Sequence, residues 1–462
     1  MIKTVAKIRD DSVALLSPER QQQLGQFLTP MSVAEQAASL FTHTKYPSRI
    51  LDLGSGTGIL AAAVAMNSAE NSTVLAIEQD SNLAVKSEET LKKVCSNSTV
   101  INKSIFDINT LAQFDKVILN PPYKKVSPYN IATATGNVKV TNAYTAFLVN
   151  AVQSLMPGGE CVAIIPRSWM NGDYFKDFRK WLTNECSIDT IAIYGSRQEH
   201  FKDMKILQEI MLLKLSKRQQ AESIRIYNDV SPYAALKSQT SDRVLFKDLV
   251  LGQEKIIRIH DQDSRLTRFK TISEQGLWVS TGKLVWFRNR DILFEHEQTN
   301  GYPLYWSANQ HGVVTTHPAV SDKKQWMSSS AEERNVLLPP GSYCLINRFS
   351  SKEQHHRIYA SYLRSRTCFA AENKLNYVHQ GSSRHTIPLD DKVAQGLTIW
   401  LSSTIIDSWY RQLSGSTQVN ATDLRYLPCP DLSDLISLTD KASIKYNLDQ
   451  NQIDQTVEDF LT

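Results

Sequence analysis

Over its first 220 residues the chain alternates short apolar, β-rich runs with helix-like stretches, and this rhythm limits the fold more than any single motif does. The apolar runs are Arg49–Leu53, Thr73–Glu78, Val100–Phe106, Lys116–Asn120 and Glu160–Pro166, followed by Ile188–Tyr194 and Glu209–Leu215. Between the early runs lie Ile59–Met66, Asn82–Val94 and Tyr144–Leu155, each of helical length and character. Parallel strands need a long crossover, so strands separated by helices read as βαβ units. The expected fold class is α/β, a doubly wound and mostly parallel sheet. No long helix separates the last two runs, which are expected to pair antiparallel at one edge of it.

After Lys217-Arg218-Gln219-Gln220 the rhythm breaks. Residues 221–430 have short apolar runs, many turn residues and tryptophans 278, 286, 306, 326, 400 and 409, and they read as a mixed α/β second domain. Asp431–Thr462 reads as an acidic helical tail, with Leu432, Leu435, Ile436, Leu438, Ile453, Val457, Phe460 and Leu461 as its apolar positions. The expected division is 1–220, 221–430 and 431–462. Whole-chain net charge is +4, yet the first 430 residues hold 49 basic and 40 acidic side chains and the last 32 hold 2 and 7. A mildly basic body suits a polyanionic partner.

Several classes drop out. No apolar run approaches the ~20 residues of a membrane helix. The opening Met1-Ile2-Lys3-Thr4-Val5-Ala6-Lys7 leads into Arg9-Asp10-Asp11 without the apolar stretch of a secretory signal, so the cytoplasm is the expected address and no membrane is involved. Cysteines 95, 161, 186, 344, 368 and 429 are scattered, and none has a partner at zinc-site or redox-pair spacing. They are expected as free thiols, with no metal.

Asp52-Leu53-Gly54-Ser55-Gly56-Thr57-Gly58 stands directly after a strand and directly before a helix. Glycines there let the backbone turn sharply and approach a ligand. Glu78 follows 26 residues after Asp52, at the end of the next strand, where an acid can accept both hydroxyls of a ribose. The loop lacks the dinucleotide spacing, so a small nucleoside cofactor suits it better than a pyrophosphate. Asp52, Gly54, Ser55, Gly56, Gly58 and Glu78 are the resulting cofactor candidates. The plain alternative for Glu78 is a solvated acid at a strand end.

Asn120-Pro121-Pro122-Tyr123 closes the apolar strand Phe114–Leu119. Two prolines fix φ and remove two N–H donors, which leaves a rigid loop that presents carbonyls. A ligand amino group can donate one hydrogen to the Asn120 side-chain oxygen and the other to the Pro121 carbonyl, while Tyr123 offers a ring for stacking. In a doubly wound sheet the first and fourth strands are neighbours where the order reverses, and ligands bind outside their carboxyl ends. A nucleoside cofactor and an amino-bearing ring would therefore share one crevice.

These motifs resemble the gamma-class, TaqI-type N6-adenine DNA methyltransferases of restriction–modification systems. The resemblance covers about 1–220 by motif and extends more loosely into 221–430. It implies a Rossmann-like class I methyltransferase fold, S-adenosyl-L-methionine as cofactor and duplex DNA as substrate. Gly25-Gln26-Phe27-Leu28-Thr29-Pro30 is similar to the family's N-terminal motif, which implies that Thr29 and Pro30 cap the methionine part of the cofactor. Phe201, in Glu199-His200-Phe201, matches the aromatic that stacks on the flipped adenine opposite Tyr123. The stretch from Ser414 to Pro430 is similar to the usual close of a target recognition domain. One position departs. The acid that reads the cofactor adenine ends the third strand in the family, and counting back from Asp115 places that slot on Ser104-Ile105. Either Ser104 or Asp107 takes the contact, with Ile105 or Phe106 packed on the ring.

The resemblance implies an adenine flipped out of the duplex at a cost of a few kcal/mol. The N6 atom is then held by Asn120 and Pro121, and Asn120 also borders the cofactor. Phosphate and base contacts are expected from Lys283, Arg288, Arg290 and Arg348, which stand among aromatics in the second domain. Cleavage would belong to a separate cognate nuclease, and a monomer is expected. Glutamine-N5 protein methylation and RNA adenine-N6 methylation are the rivals, because an amide nitrogen and an RNA adenine pose the same chemical problem. The length of the second domain weighs against the protein substrate.

Overall fold

The computed structural model describes residues 2–15, 28–108, 113–195, 210–259, 264–350, 354–413, 417–442 and 447–462. The chain divides into two compact units, Met1–His260 and Asp261–Thr462, and the first opens with helix α1 (Ile2–Leu15).

In the first unit the strands are β1 (Arg49–Leu53), β2 (Thr73–Glu78), β3 (Ser98–Asn102), β4 (Phe114–Leu119), β5 (Lys125–Thr133), β6 (Gly136–Asn142), β7 (Leu155–Pro166), β8 (Ser187–Tyr194), β9 (Ile210–Ser216), β10 (Ser223–Val230) and β11 (Asp242–Leu245). Nine of them form one sheet in the order β11-β10-β8-β9-β7-β4-β1-β2-β3. β3, β2, β1, β4 and β7 run parallel. This is a class I methyltransferase architecture, and the reversal of order falls at β1 and β4, whose register sets Asp52 beside Ile118.

The pleat sends successive side chains to opposite faces, and every position of β1 after Arg49 is buried. Leu51, Leu53, Val117 and Leu119 face a core shared with α5 (Ala143–Ser154) and α6 (Lys176–Glu185). Ile50, Val74, Ile118 and Val162 face the other core, shared with α2 (Met31–Ser39) and α3 (Ile59–Met66). Each fully buried aliphatic side chain contributes about 1.5–3 kcal/mol. The sequence Ile59-Leu60-Ala61-Ala62-Ala63-Val64 has no polar face, and α3 is accordingly buried through all six positions. α4 (Ser81–Lys92) begins at Asp80, whose side chain accepts from the Asn82 and Leu83 N–H groups.

Three expectations about the first unit need correction. β8 and β9 do pair antiparallel, but not at the edge, because β10 runs parallel beside β8 and β11 closes the sheet beyond it. The period-two pattern Ser223-Ile224-Arg225-Ile226 carries this extension, so the first unit ends at His260 rather than at residue 220. The third strand stops at Asn102, and Ile105–Asp107 form a 3-10 turn whose Phe106 N–H is taken by the Ser104 hydroxyl at 3.3 Å.

The second unit is mixed, as its composition suggests. A seven-stranded sheet includes the antiparallel strands Leu277–Thr281, Leu375–Gly381, Gly341–Asn347 and Ala360–Ser365. A smaller four-stranded sheet accompanies it. The stretch 431–462 is helical, in Leu432–Lys441 and Gln450–Leu461, but it is not a separate tail. Leu435, Leu438, Ile453, Val457 and Leu461 are buried within this unit, because the acids lie on the opposite faces. No helix among the described residues is long and apolar enough to cross a membrane.

Candidate functional site

At the carboxyl ends of β1, β2 and β4 the chain turns into loops that surround a cavity of about 860 Å3, counting its open mouth. Gly54, Gly56, Glu78, Ser104, Ile105, Phe106, Asn120, Pro122 and Phe147 are among its walls.

The glycine loop is held by the next strand, since the Gly54 and Ser55 N–H groups both donate to the Ile77 carbonyl, at 2.9 and 3.0 Å. Gly54 and Gly56 have φ of +75° and +55°, a conformation open to glycine. A Cβ at Gly54 would stand 3.1 Å from the Phe147 ring, and one at Gly56 would stand 3.2 Å from Leu28. The hollow therefore exists because those two side chains are missing. Gly58 and Ser55 do a different job. Ser55 bonds the Ser87 hydroxyl at 3.0 Å, and a Cβ at Gly58 would press on the Ser87 backbone, so both bring α3 close to α4 rather than line the cavity.

Glu78 is buried at 5% exposure. One carboxylate oxygen accepts from the Gly56 N–H at 2.8 Å and the other from the Asp80 N–H at 2.8 Å. A carboxylate has about four lone-pair sites, so two remain for a ligand's hydroxyls. Burial pushes its pKa up, and the backbone donors pull it back. Asp52 lies fully buried beneath the loop, where one oxygen accepts from the Ala61 N–H at 3.1 Å and the other has no hydrogen-bond partner. Burial raises its pKa to about 8, against the pull of the Ala61 N–H.

Asn120 is fixed from two sides. Its Nδ2 donates to the Thr29 hydroxyl at 2.9 Å, and its Oδ1 accepts from the Tyr123 hydroxyl at 2.7 Å. Thr29 is thus buried under Asn120, and Pro30 stands at the N-cap of α2. Tyr123 is not among the residues lining the cavity. Its half-buried ring meets Tyr144 edge-on at 6.5 Å, and its hydroxyl also lies 3.0 Å from the Ile164 carbonyl. Burial raises the Tyr123 pKa, which keeps that hydroxyl a donor. Pro121 is buried beside it. Asp107 is exposed and is not among the lining residues, whereas Ser104 and Ile105 are. Phe201 and Gly25–Phe27 lie outside the described residues.

Two features had no signal in the sequence reading. The hairpin β5–β6 directly follows Tyr123 and brings Val126 and Tyr129 to the cavity. On α5, Ala143 and Phe147 stand one turn apart on the cavity side, with Phe147 edge-on to Phe106 at 5.7 Å. The apolar spacing of α5 announces a helix but not which face meets a ligand.

Of the basic candidates in the second unit, Lys283, Arg288 and Arg290 are exposed. Arg348 is half-buried and donates to the Asn373 carbonyl at 3.1 Å.

Residues 28–201 match the Eco57I restriction-modification methylase family. The chain is 32% identical to the type II methyltransferase M.PstI of Providencia stuartii, with 99% of this chain and 96% of that protein aligned. With M.BsuBI of Bacillus subtilis the identity is 33%, over 100% and 98%. The chain belongs to the type II methyltransferases. A shorter likeness, 30% over 125 residues, links 26% of it to 48% of the tRNA1(Val) (adenine(37)-N6)-methyltransferase of Serratia proteamaculans. The cryoEM structure of a DrdV–DNA complex shares the fold, with a TM-score of 0.51 and 11% identity over 96% of this chain and 59% of that longer one.

S-adenosyl-L-methionine is the expected cofactor of this methyltransferase, and the cavity suits it. The glycine cradle admits a ligand that any side chain would displace, Glu78 keeps acceptor capacity for ribose hydroxyls, and the aromatic and aliphatic walls suit a flat ring. When bound, the cofactor supplies a methyl group on a positively charged sulfur. Glu78→Gln removes the charged acceptor, and a hydrogen bond to a charged group is worth about 1.5–3 kcal/mol. The dissociation constant for S-adenosylmethionine should rise about 10- to 100-fold by calorimetry, and an unchanged constant would remove Glu78 from the cofactor site.

Proposed function

We propose that this methyltransferase modifies the N6 atom of an adenine within a specific duplex DNA sequence, as the modification enzyme of a restriction–modification system. One observation carries the reading: Asn120 borders the cofactor cavity with its amide held from both ends. Because Nδ2 is committed to Thr29, Oδ1 is the atom left to face acceptor duty. A carbonyl oxygen has two lone pairs, so it can serve Tyr123 and an adenine amino hydrogen together.

The N6 lone pair is delocalised into the ring, which makes it a poor nucleophile. Acceptors at Asn120 and Pro121 would hold both N–H bonds, favour a tetrahedral nitrogen and stabilise the positive charge that grows on it during transfer. That is binding specific to the transition state. No prior deprotonation is needed, and the surplus proton leaves afterwards. Adenine-N6 specificity draws support from the likeness to a tRNA adenine-N6 methyltransferase over a stretch of 125 residues. DNA as the substrate draws support from end-to-end identity with type II methyltransferases and from the exposed Lys283, Arg288 and Arg290.

Incubating the purified protein and tritiated S-adenosylmethionine with duplex DNA, tRNA and a protein extract separates this reading from its rivals. Label is expected in the DNA and should chromatograph as N6-methyladenine after digestion. Label confined to tRNA or protein would contradict it.

A further inference from the structure

Trp286 and Phe287 stand side by side on the surface of the second unit, 38% and 55% exposed. Most large apolar side chains of this unit are buried, and full burial of such a ring is worth about 1.5–3 kcal/mol, part of which these two forgo. The turn that carries them is anchored at both ends. On one side Gly282 N–H donates to the Leu375 carbonyl at 2.8 Å, and buried Leu284 exchanges bonds with Ala371 and Asn373 at 3.2 and 2.9 Å. A Cβ on Gly282 would run into the Ala371 and Glu372 carbonyls, so the chain is pressed flat there. On the other side Arg288 N–H donates to the Val285 carbonyl at 3.0 Å and the buried Asn289 amide to the same carbonyl at 2.9 Å. The two rings meet edge to face at 6.0 Å.

Two arginines flank this tip. The Arg290 guanidinium lies 4.7 Å from the Trp286 centroid and that of Arg288 lies 5.7 Å from the Phe287 centroid. Asp291, the neighbouring acid, is neutralised by Arg334 at 2.5 Å. No carboxylate among the described residues forms an ion pair with Lys283, Arg288 or Arg290. An anchored apolar tip flanked by cations matches a polyanion whose stacked interior can be opened.

We propose that the Trp286–Phe287 tip is a wedge that enters an opened base step of duplex DNA while Lys283, Arg288 and Arg290 hold the adjacent phosphates. The proposal rests on the DNA reading above and adds a positioning role, with Phe287 offsetting part of the cost of unstacking. The test uses the full-length protein and its cognate duplex in two forms, one fully paired and one with an abasic site opposite the target adenine. Turnover and the fluorescence of 2-aminopurine at the target position are read for each. On the paired duplex Phe287→Ala should lose about tenfold or more in kcat/KM, as expected from stacking worth ~1–3 kcal/mol, together with most of the fluorescence rise. On the abasic duplex, already opened, the loss should shrink to less than about threefold, and Phe287→Trp should restore the paired duplex. An equal loss on both duplexes would overturn the wedge. So would no loss on the paired one, which would leave the tip to a protein partner. A parent protein inert on every duplex would overturn the DNA reading and the wedge with it.

Discussion

Asn120→Ala is expected to reduce the rate of methyl transfer about 10²- to 10³-fold, the usual cost of removing one group aimed at transition-state charge. The variant loses Oδ1, the acceptor proposed for one N6 hydrogen, and the nitrogen then keeps its planar, conjugated geometry. It also removes the bonds that join Asn120 to the Thr29 and Tyr123 hydroxyls at 2.9 and 2.7 Å. Cofactor affinity should change much less, because Glu78 and the Gly54–Gly56 cradle do not depend on that amide. Single-turnover transfer measured beside calorimetric binding separates the two effects. Asn120→Ala with near-parental transfer in a folded, cofactor-binding protein would refute the assigned role. Asn120→Asp is the sharper variant. Its oxygen can still accept from N6, but no amide remains for Thr29, so it should fall between the parent and the alanine variant.

Gly396→Ala is expected to be the most damaging small change in the second unit. Gly396 lies inside the helix Asp391–Leu401, where alanine normally stabilises by up to about 1 kcal/mol. Here the added methyl would run directly into the Leu435 carbonyl of the facing helix Leu432–Lys441. The obstacle is backbone, so relief requires the two helices to part and to loosen the buried Leu397, Leu435 and Leu438. Overpacking of this kind costs about 1–3 kcal/mol and sometimes more. The thermal midpoint of the unit should fall by about 5–10 °C. An unchanged or raised midpoint would show that Leu432–Lys441 is not packed there.

These two sites mark how far the sequence could be read. Asn120 was findable because a rigid, donor-poor Pro-Pro loop at a strand end has few purposes, and the strand itself was evident from Phe114–Leu119. Gly54, Gly56 and Glu78 were findable for a similar reason, since strand-loop-helix order places them without tertiary knowledge. Phe147, Val126 and Tyr129 were not, because they reach the cavity through the packing of α5 and a hairpin whose strands mix polar and apolar positions. Nothing in the sequence sets Gly396 apart from an ordinary helix-interior glycine, and only the facing carbonyl explains it. The C-terminal acids suggested a detached tail, yet Lys392 pairs with Asp440 and Arg265 with Glu458, and the apolar faces beneath are buried. By charge alone, Arg258, Arg265 and Arg268 could all meet a polyanion. Arg258 is instead buried in the first unit, while Arg265 and Arg268 bond the C-terminal helix. Charge runs report what can meet solvent, and pairing decides what does.

The most direct test of the central claim is to express the protein in a host lacking DNA methylation and to read modified bases across its genome by single-molecule sequencing. The account predicts N6-methyladenine at nearly every copy of one short sequence, absent when Asn120→Ala is expressed instead. A genome with no discrete modified-adenine motif, or with the mark on cytosine, would contradict it.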